Sequence, residues 1–474
     1  MGISPKVPEK AYFWAMRNDI TGHLEAQRRF FSSGRTKDLR FRKETLKRLR
    51  SEIVRKEDAI CDALYADFKK PRFETLIAET QFVLAELNAM IRHLELWARP
   101  ERVPSSLLNF PSSDRIYKEP YGTVLIIAPW NYPFQLTLMP LISAIAAGNT
   151  AVLKPSELTP HTSKLIAGMV KAVFEPGHAI VFEGDTEIAK ALLAEKWDYI
   201  FFTGSTRVGK IVYESAAANL TPVTLELGGK SPCIVDGSAL PSQAAGRIVW
   251  GKFLNAGQTC IAPDYILVHA SIKDRLVEEL KKSIVQFFGE KTEDSPDLAR
   301  IISDKHYKRL LGLLKGQHLL FGGQHNEEDR FISPTLVDEP GKDSEIMQEE
   351  IFGPILPIIS YNDEEEIDAW VRSHGKPLAA YIFSRKKNFQ KRMLSKYSFG
   401  GGVINDTLIH ISNKNLPFGG VGKSGLGSYH GKRSFDAFSH KKAVVHRGTW
   451  LDPKFRNPPY NLPVSFIKKL KHLL

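Results

Sequence analysis

The chain has 474 residues, 43% hydrophobic and 25% charged, which is enough apolar material for two or three domains with a sizeable core and excludes a wholly disordered chain. It lacks a run of about 18 apolar residues, which excludes a membrane-spanning helix, and MGISPKVPEK at the N-terminus has no apolar signal-peptide centre, so a cytoplasmic protein is expected. The formal net charge is +12, but no nucleic-acid motif accompanies it, so the basic residues read as solvated helical faces and no nucleic-acid partner is expected.

In chain order, residues 9–33 and 38–67 carry apolar residues at helical spacing, and 73–98 continues as a long amphipathic helix ending before Pro100. Residues 104–120 hold turn residues between strand-like pieces and predict a projecting hairpin, with Leu107, Leu108 and Phe110 in need of cover. Strands and helices then alternate: strand 124–127, helix 136–147, strand 150–154, helix 162–174, strand 179–183, helix 186–195 and strand 199–202. A Gly-rich turn and a helix from about Arg207 follow. This alternation predicts a doubly wound α/β sheet. A second α/β region spans 231–420, with strands at 232–235, 265–268, 351–360 and 378–384 and helices at 241–257 and 271–288.

Four segments carry chemistry-bearing residues. The turn Thr203 to Gly209 follows a strand and opens a helix, a place where backbone N–H groups favour a phosphate; alone it is a weak signal. Cys260 closes Asn-Ala-Gly-Gln-Thr-Cys, where Gly257 permits close approach, and an accessible thiolate there would be a nucleophile; a small buried cysteine is the plainer alternative. The other cysteines, Cys61 and Cys233, lie in apolar patterns, and no pair has metal-ligand spacing, so no metal is expected. Glu226 sits between two leucines beside Gly228 and Gly229, where burial would suit it to general-base work; a salt bridge with Lys230 or an arginine is the alternative. Asn131, in Pro-Trp-Asn-Tyr-Pro after a strand, could donate to an oxyanion or merely form a turn.

Seven motifs occur in one order: PWNYP (129–133), LKPSE (153–157), FTGSTRVG (202–209), LELGGKSP (225–232), NAGQTC (255–260), EEIFGP (349–354) and PFGGVGKSG (417–425). Together they resemble the aldehyde dehydrogenase superfamily over about residues 120–430, and within it the class 3 group of fatty and aromatic aldehyde dehydrogenases. The resemblance implies an α/β fold with a Rossmann-type cofactor domain, a second α/β catalytic domain and a small β oligomerisation element. It implies a cofactor domain at 1–103 and 121–229, an oligomerisation hairpin and strand at 104–120 and 430–448, a catalytic domain at 230–429 and a basic amphipathic tail at 449–474. It further implies Cys260 as nucleophile, Glu226 as base for the hydrolytic water, and Asn131 as oxyanion donor with the Cys260 backbone N–H. For the cofactor it implies Lys154 and Glu157 at the adenosine ribose, Gly204, Ser205 and Gly209 near the pyrophosphate, Glu350 at the nicotinamide ribose and Phe352 near the nicotinamide ring. NAD is the expected cofactor, with NADP tolerated, because Glu157 should repel a 2′-phosphate.

Trp250 and Leu254 share a helical face and, with Tyr132, either line an apolar tunnel for medium or long aliphatic or aromatic aldehydes or pack as ordinary core. A homodimer is expected. The tail carries Phe466, Ile467, Leu470, Leu473 and Leu474 on one helical face between lysines, a pattern that suits packing on the protein's own surface or weak contact with a membrane surface. The rival readings are a CoA-acylating dehydrogenase, whose members generally lack a Glu at the position of Glu226, and a non-catalytic or peripheral membrane protein on the same fold.

Overall fold

The computed structural model describes residues 9–106, 109–452, 454 and 457–469. Leu107 and Leu108, the side chain of Phe466, and Leu470, Leu473 and Leu474 lie outside the described residues. In the tail, Val464 and Ile467 of the helix Val464–Lys469 are exposed. No described helix is long and apolar enough to cross a membrane.

The first sheet has six strands in the order Gly425–Leu426, Val223–Glu226, Tyr199–Thr203, Thr123–Ile127, Thr150–Lys154, Ala179–Val181. All neighbours run parallel except Gly425–Leu426. The strands are short and continuously apolar because helices cover both faces. Thr123–Ile127, Thr150–Lys154 and Tyr199–Thr203 are buried at every position. The helix Pro133–Ala147 is likewise buried throughout, which explains why it is apolar all round.

A second sheet of seven strands runs Leu319–Phe321, Thr335–Asp338, Ile355–Tyr361, Tyr265–His269, Pro232–Val235, Ala379–Phe383, Gly401–Ile404. Only its first pair is antiparallel. One continuous core joins both sheets to the N-terminal helices. A third, three-stranded antiparallel sheet pairs Ser112–Pro120 with Glu101–Val103 on one side and Ser439–Arg447 on the other.

Several expected boundaries shift. The hairpin is formed by 101–120 rather than 104–120, because Glu101–Val103 supplies its first strand; Phe110 remains exposed, edge-on to Trp450. Helix 38–67 breaks at Lys56 into Leu39–Arg55 and Glu57–Phe68. Helix 73–98 is interrupted by a π-turn at Leu76–Thr80 before Gln81–Ala98. Helix 241–257 stops at Phe253, since Asn255 and Ala256 take left-handed backbone angles. Residues 425–426, expected in the catalytic segment, pair with Val223–Glu226 of the first sheet. The helix Lys432–Ala437, expected within the oligomerisation element, packs on Gln81–Ala98 and Pro133–Ala147.

Candidate active site

In an open parallel sheet, a crevice forms where neighbouring strands are continued in opposite directions. Here that point lies between Thr123–Ile127 and Tyr199–Thr203. The first strand runs into Trp130 and Asn131, the second into Gly204 and Ser205. A cavity of about 890 Å³ opens there and is lined by these four residues together with Glu226 of the next strand. The second sheet closes the opposite wall with Cys260, Glu350 and Phe352.

The Cys260 loop is built on an unusual backbone. Asn255, Ala256 and Gly257 have φ of 56°, 52° and 73°. A Cβ on Gly257 would stand 2.3 Å from the Gly353 carbonyl oxygen, so only glycine fits against the Glu-Ile-Phe-Gly-Pro loop. Gln258 locks the turn: its Nε2 donates to the carbonyls of Asn255 (3.1 Å) and Arg300 (3.0 Å), and its Oε1 accepts from Ile302 N (3.0 Å). The Cys260 thiol is pushed upward by burial and by the nearby Glu350 and Glu226 carboxyls; the backbone N–H groups of Cys260 and Ile261 act in the opposite direction.

Glu226 is 3% exposed and neither carboxyl oxygen has a hydrogen-bond partner among the described residues. Burial holds its pKa well above the usual carboxylate range. The salt bridge considered as its alternative does not form. Lys230 is engaged elsewhere: it pairs with Asp264 and donates to the carbonyls of Ile346 (2.8 Å) and Glu349 (2.9 Å). Asp264 in turn accepts from Ile351 N at 2.9 Å, which fixes the loop carrying Glu350 and Phe352. Glu350 accepts from the Gly229 N–H, and burial with Asp264 nearby raises its pKa to about 8. Its carboxyl lies so close to Gly228 that a Cβ there would stand 2.0 Å from Oε2.

A thiol, a buried unpartnered carboxyl and a side-chain amide therefore face one cavity, as acyl-transfer chemistry requires. The family model described as "Aldehyde dehydrogenase family" matches residues 14–444. The chain belongs to the aldehyde dehydrogenase family. It is 49% identical to 4,4'-diaponeurosporen-aldehyde dehydrogenase of Staphylococcus aureus, covering 93% of this chain and 96% of that protein. It is 45% identical to aldehyde dehydrogenase family 3 member A2 of Rattus norvegicus (92% and 90% covered). It is 42% identical to the dimeric NADP-preferring aldehyde dehydrogenase of the same species (93% and 98% covered). The structure of the substrate-bound state of Staphylococcus aureus AldH superposes with a TM-score of 0.94 at 48% identity, covering 95% of this chain and 99% of that one. As an aldehyde dehydrogenase, the chain is an oxidoreductase that acts on aldehydes.

Family members use a nicotinamide cofactor, and this cavity fits one. Ser205 caps the helix Thr206–Ala217, accepting from Val208 N at 3.4 Å, and so presents a helix N-terminus to an anion. Trp130 meets Phe352 edge-on at 5.3 Å, and Phe352 itself holds a left-handed backbone with φ of 53°. The structure does not bring every expected cofactor residue to the cavity wall. Lys154 and Glu157 lie beyond it, at the end of the next strand, joined by a 2.6 Å ion pair. Gly209 is buried inside its helix, where a Cβ would meet Leu227 at 2.6 Å, so it lets that helix pack closely against the Glu226 segment.

Trp250, Leu254 and Tyr132, expected along an apolar tunnel, have different settings. Leu254 has left the helix, Trp250 is 37% exposed, and the buried Tyr132 shares a 2.7 Å hydrogen bond with Thr259 Oγ1. None of the three lines the cavity. Asn255, Gln258, Lys230 and Asp264 were not singled out as site residues from sequence. Three of them lie within the quoted motifs, but only their folded contacts reveal what they hold.

One consequence concerns the thiol. With its pKa raised, Cys260 should react slowly with iodoacetamide at neutral pH and faster as pH rises into the alkaline range. Labelling followed by peptide mass spectrometry reads this; a rate already at its plateau below pH 7 contradicts it.

Proposed function

We propose that this enzyme oxidises an aldehyde to its carboxylic acid through a thioester on Cys260, hydrolysed by water that Glu226 deprotonates. The observation that carries the reading is the unpartnered, buried Glu226 carboxyl on the wall of the cavity that also holds Cys260.

The Cys260 thiolate adds to the aldehyde carbon, and the carbonyl π electrons move to oxygen. The Asn131 side-chain amide and the Cys260 backbone N–H donate to that oxyanion. A bound nicotinamide cofactor supplies the acceptor for the hydride that leaves the carbon as the C=O bond re-forms. Cys260 is then acylated. Glu226 takes a proton from water, the oxygen attacks the thioester carbon, the C–S bond breaks, and the Cys260 thiolate leaves. Because burial raises the pKa of Glu226, its base form appears at higher pH than that of an ordinary carboxylate and grows as pH rises. Deacylation should accelerate in the same direction. The presence of this carboxyl favours water over CoA as acyl acceptor.

Asn131→Ala is expected to stay folded and lose on the order of 100–1000-fold in turnover. Cofactor reduction followed at 340 nm checks this, and near-wild-type turnover would remove Asn131 from the oxyanion role.

NAD is the proposed preferred cofactor, with NADP accepted. Glu157, paired with Lys154, supports this, because a carboxylate opposes a 2′-phosphate. Medium or long aliphatic and aromatic aldehydes are the proposed substrates, supported by the apolar Trp130, Leu136 and Phe352 on the cavity wall. Initial rates for a chain-length series with each cofactor test both points. Higher kcat/KM for hexanal or benzaldehyde than for acetaldehyde, and for NAD than for NADP, is the expected pattern; strict NADP use or indifference to chain length contradicts it.

A further inference from the structure

The oxyanion hole draws on two loops from different sheets. Asn131 follows a strand of the first sheet, and Cys260 belongs to the second. Something must fix their relative position to a fraction of an ångström. The Tyr132 hydroxyl shares a 2.7 Å hydrogen bond with Thr259 Oγ1, and the link to the Asn131 backbone itself is Asn255. Its Nδ2 donates to the Asn131 carbonyl at 2.9 Å and to the Gln258 carbonyl at 3.1 Å. Asn255 can reach both only because its own backbone is left-handed, and its N–H then points away from the cavity to Glu74 Oε2 at 2.9 Å.

Glu74 is placed for this by the short helix Arg72–Thr75, which runs into the π-turn Leu76–Thr80. A π-turn inside a helix commonly marks a functional position. The same turn carries Glu79, whose Oε2 accepts from Gln135 N at 2.7 Å, at the start of the helix that follows Asn131. Lys70 pairs with Glu79 Oε1 at 2.7 Å, both fully buried, and its ammonium stands 3.8 Å from the centre of the Tyr132 ring. The buried ammonium is thus committed to Glu79. Glu74, 8% exposed, is left bonded to one backbone amide. Burial of a carboxyl for a single neutral donor is expensive unless the donor's position matters. Burial raises the pKa of Glu74 to about 7, with Lys70 and the Asn255 amide opposing the shift.

We propose that Glu74 is a positioning residue for the oxidation step: it holds the left-handed Asn255 turn, and Asn255 holds the backbone of Asn131 opposite Cys260. This inference rests on the oxyanion role proposed above for Asn131. It assigns Glu74 no contact with substrate.

The test is steady-state kinetics on the full chain with NAD and a saturating aldehyde. Glu74→Leu keeps the volume and removes the acceptor; Glu74→Gln keeps an oxygen that accepts from the amide. Glu74→Leu should lower kcat on the order of 10- to 100-fold, the scale of a small misplacement at the reacting centre. KM for NAD and the rate of Cys260 alkylation should stay within about twofold of wild type. Glu74→Gln should retain at least about half of kcat, since it keeps the acceptor. Asn255→Gly tolerates the left-handed angle and removes the side chain with its Nδ2 donor, so it should show the same kcat-selective loss even if Glu74→Leu does not fold. The double variant Glu74→Leu/Asn255→Gly should lose no more than the worse single one, because both act through one chain of bonds. Wild-type kcat in either single variant, or losses that multiply, would overturn the proposal. Impairment in Asn131→Ala but not in these variants would sink the strut alone; full activity in Asn131→Ala would sink the oxyanion role and the strut together.

Discussion

Glu226 ends a buried strand with neither carboxyl oxygen hydrogen-bonded among the described residues, and the surrounding structure is arranged to keep it unpaired. Such a group is costly to bury. A lysine four residues along the chain would be its natural partner, yet Lys230 is drawn off by Asp264 and two carbonyls. The backbone around Glu226 is meanwhile held on three sides. Its carbonyl accepts from Gly204 N at 3.0 Å, its neighbour Leu227 donates to the Ser424 carbonyl at 3.1 Å, and Gly425 pairs beside it. The carboxyl is rigidly placed while its oxygens are left unsatisfied, and burial raises its pKa, the setting that suits a carboxyl to accept a proton from water.

The same division recurs through the site. Charges that hold loops are paired with one another: Lys230 with Asp264, Lys70 with Glu79. Groups that face the reacting space, Cys260, Glu226 and Asn131, are supported through their backbones. Within the site, strained backbone falls at the joints, in the left-handed Asn255, Ala256 and Phe352. Residues in such conformations persist only where neighbours over-determine them. Gln258, Gly353 and Glu74 provide that support around the nucleophile loop.

Much of this was legible from sequence, for identifiable reasons. Strands of the first sheet are short apolar runs bounded by Gly, Pro and Asn, and the motifs at their ends fall where a doubly wound sheet places ligands. Cys260, Glu226 and Asn131 could be named because each stands in a distinctive local setting and in a recognisable series of motifs. The breaks were hidden. Ala256 has no local reason to be left-handed, so helix 241–257 reads as continuous and its break after Phe253 goes unseen. The π-turn at 76–80 keeps nearly helical spacing, so Glu74 and Glu79 look like surface positions of one long helix. Their importance comes from contacts 56 and 181 residues away, which no local pattern carries.

The most direct test of the account is to trap the acyl group. Glu226→Gln, mixed with an aldehyde and NAD, should release about one equivalent of NADH per site and then stall, because oxidation proceeds and deprotonation of water does not. Mass spectrometry should find the acyl group on the peptide containing Cys260. Continued turnover at the wild-type rate with no adduct on that peptide would contradict Glu226 as the base for thioester hydrolysis.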